Sequence, residues 1–357
     1  MTKSVVAVIF GVGSAAWAQS QGQQNSTNET AITTAQTYQD NLNPVRTTQS
    51  QSKSGNQSVD KQSVEVLGPD GRYQPSFDTE TETVQVNDTT TRTVVRTYNW
   101  DANGRRKLVE IREQETRTTA SGDAQTMRTT SNSDLDGNLF VVLREVEDTR
   151  KTSPDAQETK TTVYAADGNG GFTAARQTDE VQQRNADRGV EVHKTTLRPD
   201  ANGNLRLDEV SRKTVKEEDK TRITEERISR TDLNGKLSEV ARTVGQETET
   251  PAGSQSTVDT YSVDIPGVSR EGNLHLGKRV ITVERKDSDG ETTEQQVERP
   301  DIGNPSDGLQ PSAKTKYIVR YSFSGAQQTS TTRAPDGNGT WSVVSVETKE
   351  KEPDAPR

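Results

Sequence analysis

The chain has 357 residues, 45 basic against 54 acidic side chains, a formal net charge of −9, no cysteine and only 27% apolar residues. Val, Ile, Leu and Phe make up about 17% of the residues from Gln19 onward, below the ~20% under which a conventional core is not expected. Composition therefore excludes a large globular interior and a disulfide framework, and no later run of ~18 apolar residues offers a membrane helix.

In chain order, residues 1–18 read as a signal peptide. Lys3 supplies the positive start, Val5 to Phe10 open an apolar stretch, and Ala16-Trp17-Ala18 fits a small-x-small cleavage pattern. The protein is expected to be exported, periplasmic or extracellular. Residues 19–58 are rich in Gln, Ser, Thr and Asn, a composition that buries too little surface to offset ordering entropy, so this segment is expected to be disordered.

From Val59 a turn signal recurs, with glycines at Gly71, Gly104, Gly137, Gly170, Gly203, Gly235, Gly272 and Gly339, and a looser mark at Gly308. Four of the first five intervals are 33 residues and the fifth is 32, which identifies a repeat protein. Two residues after most of these glycines stands a large apolar side chain: Tyr73, Leu139, Phe172, Leu205, Leu237, Leu274, Trp341. Thr-rich stretches precede the turns, and looser turns such as Ser121-Gly122-Asp123 and Ser288-Asp289-Gly290 sit midway. Each repeat thus reads strand, loose turn, strand, tight turn. Lys213 to Ser229, rich in Glu, Lys and Arg, competes as a helix but occupies the place of a strand pair.

The fold class is all-β: a repetitive antiparallel hairpin meander over residues 59–348, forming an elongated open or single-layer twisted sheet, followed by a charged tail at 349–357. A lipid-facing barrel is set aside because stretches such as Arg144 to Arg150 and Lys220 to Glu226 leave no apolar face. A propeller is set aside for want of apolar faces between blades. The Lys/Glu/Thr-rich strands and Asp-Gly turns resemble the central single-layer sheet of spirochaete outer-surface lipoproteins, although the lipidation cysteine is missing and the period differs. Tyr98-Asn99-Trp100-Asp101-Ala102-Asn103-Gly104-Arg105 is similar to YD-type repeats, in that repeat alone.

Motifs for chemistry are few. Gly272 to Arg279 nearly spells a phosphate loop but leads into a strand. Asn99, Asp101, Asn103 and Glu110 follow part of a calcium-loop spacing and form a weak calcium candidate, although Asp and Asn also suit tight turns. His193 and His275 are far apart, and no nucleophile or zinc cluster stands out. No catalytic residue and no cofactor other than that calcium is expected. The acidic balance excludes nucleic acid. The chain is expected to be non-enzymatic and not membrane-embedded, with a structural or adhesive role at the cell envelope or matrix. The alternative is a module binding polysaccharide or a protein partner through aromatics such as Tyr98, Trp100, Tyr164, Tyr261, Tyr317, Tyr321 and Trp341. Self-association through sheet edges is a further option.

Overall fold

Thr and Val recur between the turn marks, and β-branched side chains suit a pleated strand better than a helix. The computed structural model describes residues 29–37, 45–68, 70–101, 103–185, 189–232, 234–263, 273–301, 308–322, 325–336 and 340–351. The expected signal peptide, Gly272 and Gly339 lie outside them. All regular structure among the described residues is β-strand. The strands are β1 (Glu29–Thr37), β2 (Val45–Ser54), β3 (Gln57–Leu67), β4 (Tyr73–Asn87), β5 (Thr90–Trp100), β6 (Arg106–Thr118), β7 (Ala124–Ser133), β8 (Leu139–Ser153), β9 (Ala156–Ala166) and β10 (Phe172–Arg184). They continue as β11 (Val190–Pro199), β12 (Leu205–Glu218), β13 (Thr221–Thr231), β14 (Leu237–Thr250), β15 (Gly253–Ser262), β16 (His275–Lys286), β17 (Gly290–Pro300), β18 (Leu309–Ser322), β19 (Gly325–Pro335) and β20 (Trp341–Lys351).

Consecutive strands pair antiparallel in one sheet, so the single-layer hairpin meander is the fold. The stretch that competed as a helix forms β12 and β13. Two boundaries move. β1 and β2 lie inside the segment expected to be disordered, and β20 runs into the expected tail. A low apolar content limits the surface these strands bury, but their backbone groups are paired on both sides.

The ladder also returns to its start. β1 pairs with β2 from Glu29↔Gln51 to Ala35↔Val45, and with β20 from Ile32↔Glu350 to Thr37↔Ser345. The two strands that would be edges of an open sheet are thus joined through β1. One row of partners descends from Ala124, at the loose-turn end of β7, through Thr149, Thr159, Glu180, Lys194, Ser211 and Ile228 to Ala241, low on β14. A drop of roughly nine residues in seven strands corresponds to a strand tilt of about 40°, in the range that closed barrels adopt.

A regular irregularity accompanies every tight turn. Nine register shifts leave one residue unpaired on the strand after the turn: Ser76, Val109, Val142, Ala175, Asp208, Val240, Gly277, Ser312 and Val344. Each is a β-bulge, and a bulge reverses which face the residues beyond it occupy. In eight repeats it stands five residues after the turn glycine, and in the ninth four after Gly308.

Little is buried. Val64 and Val94 are the only buried large apolar side chains among the described residues, and Thr126, Thr196 and Ser211 are the buried polar ones. Cross-strand pairs supplement the ladder. Thr83–Thr93, Thr116–Thr126, Thr149–Thr159 and Thr315–Thr332 share hydroxyl hydrogen bonds of 3.1–3.2 Å. Arg279 donates two bonds to Asp259 at 2.7 and 2.8 Å. Such pairs contribute about 0.2–1 kcal/mol each.

Candidate functional site

The turns come first, because the candidate metal residues lie there. In the Asp101 turn the Gly104 amide donates to the Asp101 carbonyl at 2.9 Å, and Gly104 takes a φ of 72°. The Asp101 carboxylate accepts the amides of Asn103 at 2.8 Å and Arg105 at 2.9 Å. Asp134, Asp167, Asp200, Asp232 and Asp336 accept a backbone amide from four residues on in the same way. Among the described residues, glycine takes the left-handed position at the end of the loop, at Gly104, Gly137, Gly170, Gly203 and Gly235, with Gly168 left-handed too in the Asp167 turn, and the aspartate ties the loop shut. Glu110 sits down β6 and pairs with Arg112 at 2.8 Å. Among the described residues no three acidic or histidine side chains gather at one point.

The two histidines stay apart. His193 contacts Glu191 at 2.9 Å on an exposed stretch of β11, and His275 opens β16. The near-phosphate loop contributes Gly277 as a bulge and Lys278 and Arg279 to β16.

Alternation divides the ring into two walls. One carries Val64, Thr126, Thr196 and Ser211, four of the five buried side chains just named. The same wall lines a hollow of about 710 Å³ spanning β7 to β12, bounded by Arg128, Glu145, Glu147, Thr161, Thr178 and Lys194 among others. Its greater burial and larger concavity make it the inward wall. A hollow of about 400 Å³ beside Ile281, Val283 and Glu294 lies mainly on the opposite wall, as a groove between long side chains. The inward wall is hydrophilic and nearly charge-balanced. Arg128 pairs with Glu147 at 3.1 Å and with Glu145, while Arg198 pairs with Asp208 at 2.8 Å and Arg230 with Glu209 at 2.9 Å. Between these charges run threonines, as in the cross-strand row Thr161, Thr178, Thr196.

The outward wall has two zones. Away from the tight turns it carries ion pairs, such as Arg92–Glu113 at 2.9 Å and Arg96–Glu82 at 3.2 Å. Beside the tight turns it is mostly apolar, interrupted by charges such as Arg106, Glu239 and Arg333. In eight repeats the bulge places the residues two and four after the turn glycine on the outward wall, opposite the last outward residues of the preceding strand, and after Gly308 the outward residues are Leu309 and Pro311. Tyr98 thus faces Leu108, Leu197 faces Leu207, and Tyr261 faces Leu276. Of the sequence-singled aromatics, Tyr98, Trp100, Tyr164, Tyr261 and Trp341 fall in this belt, whereas Tyr317 and Tyr321 follow the inward register of β18.

No family model matches the chain, and no curated protein matches it. Solved structures do. OpdQ of Pseudomonas aeruginosa aligns with a TM-score of 0.40 and 7% identity over 91% of this chain and 97% of that one. The siderophore receptor PirA of Acinetobacter baumannii gives 0.45 and 8% over 93% and 81%. The copper transporter OprC gives 0.45 and 6% over 94% and 81%. Identities this low assign neither a family nor a transported species.

Three expectations are corrected here. The structures found similar are outer-membrane β-barrel proteins, not adhesive or matrix proteins, so the structural, adhesive and sheet-face-binding readings are withdrawn, as is the statement that the chain is not membrane-embedded. The stretches that argue against a barrel, Arg144 to Arg150 and Lys220 to Glu226, lie away from the tight turns, whereas the apolar outward residues lie beside those turns, where the bulge matters. An unbroken alternation of two sends the apolar residues after each turn to the inward wall, and the outward wall then keeps only those of the strand before it, such as Tyr98 and Leu197. With the bulge counted, those residues face out.

Proposed function

We propose that the chain is a non-enzymatic β-barrel pore of the cell envelope, seated in a membrane and passing small hydrophilic solutes through its lumen. The observation that carries this reading is the return of the ladder through β1 to β20 around a wall of Thr, Ser, Gln and paired charges. Barrels of 16–18 strands already leave an aqueous channel, and diameter grows with strand number, so twenty strands enclose a wide one. Paired Arg and Glu on that wall keep it wet without a strong preference for either sign of ion.

Planar-bilayer recording tests the reading. Chain refolded from denaturant into a bilayer should give stepwise conductance in KCl, with weak selectivity between K⁺ and Cl⁻. A bilayer that stays silent while the strand content of the refolded chain is intact would overturn it.

A further inference from the structure

The belt beside the tight turns is a ring rather than a patch. It draws on successive hairpins at one level: Tyr73 and Pro75, Tyr98, Trp100 and Leu108, Leu139 and Val141, Tyr164 and Phe172, Leu197 and Leu207, then Leu237, Leu276, Trp341 and Val343. Of the twelve large apolar side chains left exposed among the described residues, Leu139, Leu207, Leu237 and Val343 lie in this belt and Leu135 at a turn beside it, whereas Phe77, Phe140 and Leu143, at the same end, follow the inward register. Leu135, at the tip of a tight turn, is 97% exposed. Apolar side chains gathered at one level of a charged wall mark a contact surface.

The polar groups around the belt are ordered too. Arg106 lies 3.6 Å over the Tyr98 ring, Arg144 lies 4.1 Å over Phe172, and Lys314 lies 4.6 Å over Trp341. The Trp100 indole N–H donates to Asp78 at 3.2 Å. Aromatic bodies set in an apolar zone, with polar handles and basic groups at its margin, suit the boundary between acyl chains and headgroups. A globular partner would cover one side of a cylinder. A bilayer crossed by the barrel axis meets every hairpin at the same height.

We infer that this belt is a membrane-interface anchor, and that the tight-turn end of the barrel is the end held in lipid. The inference rests on the belt's register and not on conduction, so it can fail or stand apart from the pore reading. The chain is acidic overall, so the attachment is apolar rather than electrostatic. It should be as strong on phosphatidylcholine vesicles as on vesicles containing phosphatidylglycerol, and should persist when salt is raised until the Debye length falls to about 3 Å.

The three tryptophans give a direct readout. Trp17 lies in the expected signal peptide, and the other two, Trp100 and Trp341, both lie in the belt. In full-length chain carrying Trp17→Phe, added to phosphatidylcholine vesicles brominated at different acyl depths, bromine near the headgroup should quench tryptophan emission strongly and bromine at the chain ends weakly. Leu139→Asp, Leu207→Asp and Leu237→Asp together should lower vesicle association by at least about tenfold, since each removes a leucine from apolar contact. Met127→Asp, on the outward wall outside the belt and 56% exposed, should leave association unchanged. Circular dichroism of each variant reports whether the strands persist. Absent quenching in vesicle-bound chain, attachment lost at high salt, equal loss with Met127→Asp, or belt-dependent self-association without quenching would each overturn the inference. A silent bilayer with quenching intact would overturn only the pore.

Discussion

Six of the tight turns hang on one carboxylate each, at Asp101, Asp134, Asp167, Asp200, Asp232 and Asp336. Asp134 accepts the Asn138 amide at 2.8 Å, and Asp200 accepts the amides of Asn202 at 2.8 Å and Asn204 at 3.0 Å. These backbone donors hold both carboxyls below the ordinary aspartate value of 3.8. The Lys151 amide, followed by the Ser121 hydroxyl, does the same for Asp123 at a loose turn. A carboxyl whose pKa is lower in the folded chain than in the unfolded chain favours folding once it is ionised. The contribution is complete above the unfolded value and is lost as pH falls through the lowered folded one. Melting temperature should therefore be flat from neutral pH to about pH 5 and fall below about pH 4. Asp134→Asn with Asp200→Asn keeps an oxygen to accept the amides but removes the titration. Thermal melts of that variant should show a shallower acid decline, and an unchanged decline would remove these turns from the account.

At the scale of the hairpin, the sequence shows what is local and hides what is relational. Turn, strand and period are legible because Asp, Asn and Gly announce each tight loop and Thr and Val fill the strands between. The bulge is not legible. Its residue is serine at 76 and 312, valine at 109, 142, 240 and 344, alanine at 175, aspartate at 208 and glycine at 277, so no residue type marks it. What fixes it is the joint requirement of turn geometry and ladder register. Missing it sends Arg106 and Leu108 to the wrong wall, and with them the half of the apolar belt that follows the turns. Deleting Val109 should restore plain alternation in β6 up to the turn. Arg106 would then leave Asp78 and Glu80, each of which it holds at 2.9 Å, and Leu108 would turn inward. With Leu108→Cys as the only thiol, a bulky maleimide too large for the lumen should label the parent quickly and the deletion variant slowly. Equal labelling of two folded proteins would show that the bulge does not set the face.

At the scale of the molecule, the decisive strand is the one whose composition argued least for order. β1, Glu-Thr-Ala-Ile-Thr-Thr-Ala-Gln-Thr, carries one large apolar side chain and nothing that distinguishes it from a polar linker. Its order comes from position. The edges of β2 and β20 each present a row of backbone donors and acceptors, and a strand laid between them satisfies both rows. An open sheet and a closed ring therefore differ by one polar strand that propensity cannot recognise, which is why closure was hidden although the repeat was plain. Because the chain has no cysteine, closure can be tested without background. Thr33 lies opposite Lys349 in the β1–β20 register. Directly opposed residues of an antiparallel pair have Cα atoms about 4.5–5.5 Å apart, within the range a disulfide bridges. Thr33→Cys with Lys349→Cys should oxidise within one chain, give a faster band on a non-reducing gel, and raise the midpoint of urea unfolding by linking strands more than 300 positions apart. If the thiols stay free in folded protein, or join only between chains, the ring is open at β1. The lumen then has a gap in its wall, and the pore reading loses the observation that carries it.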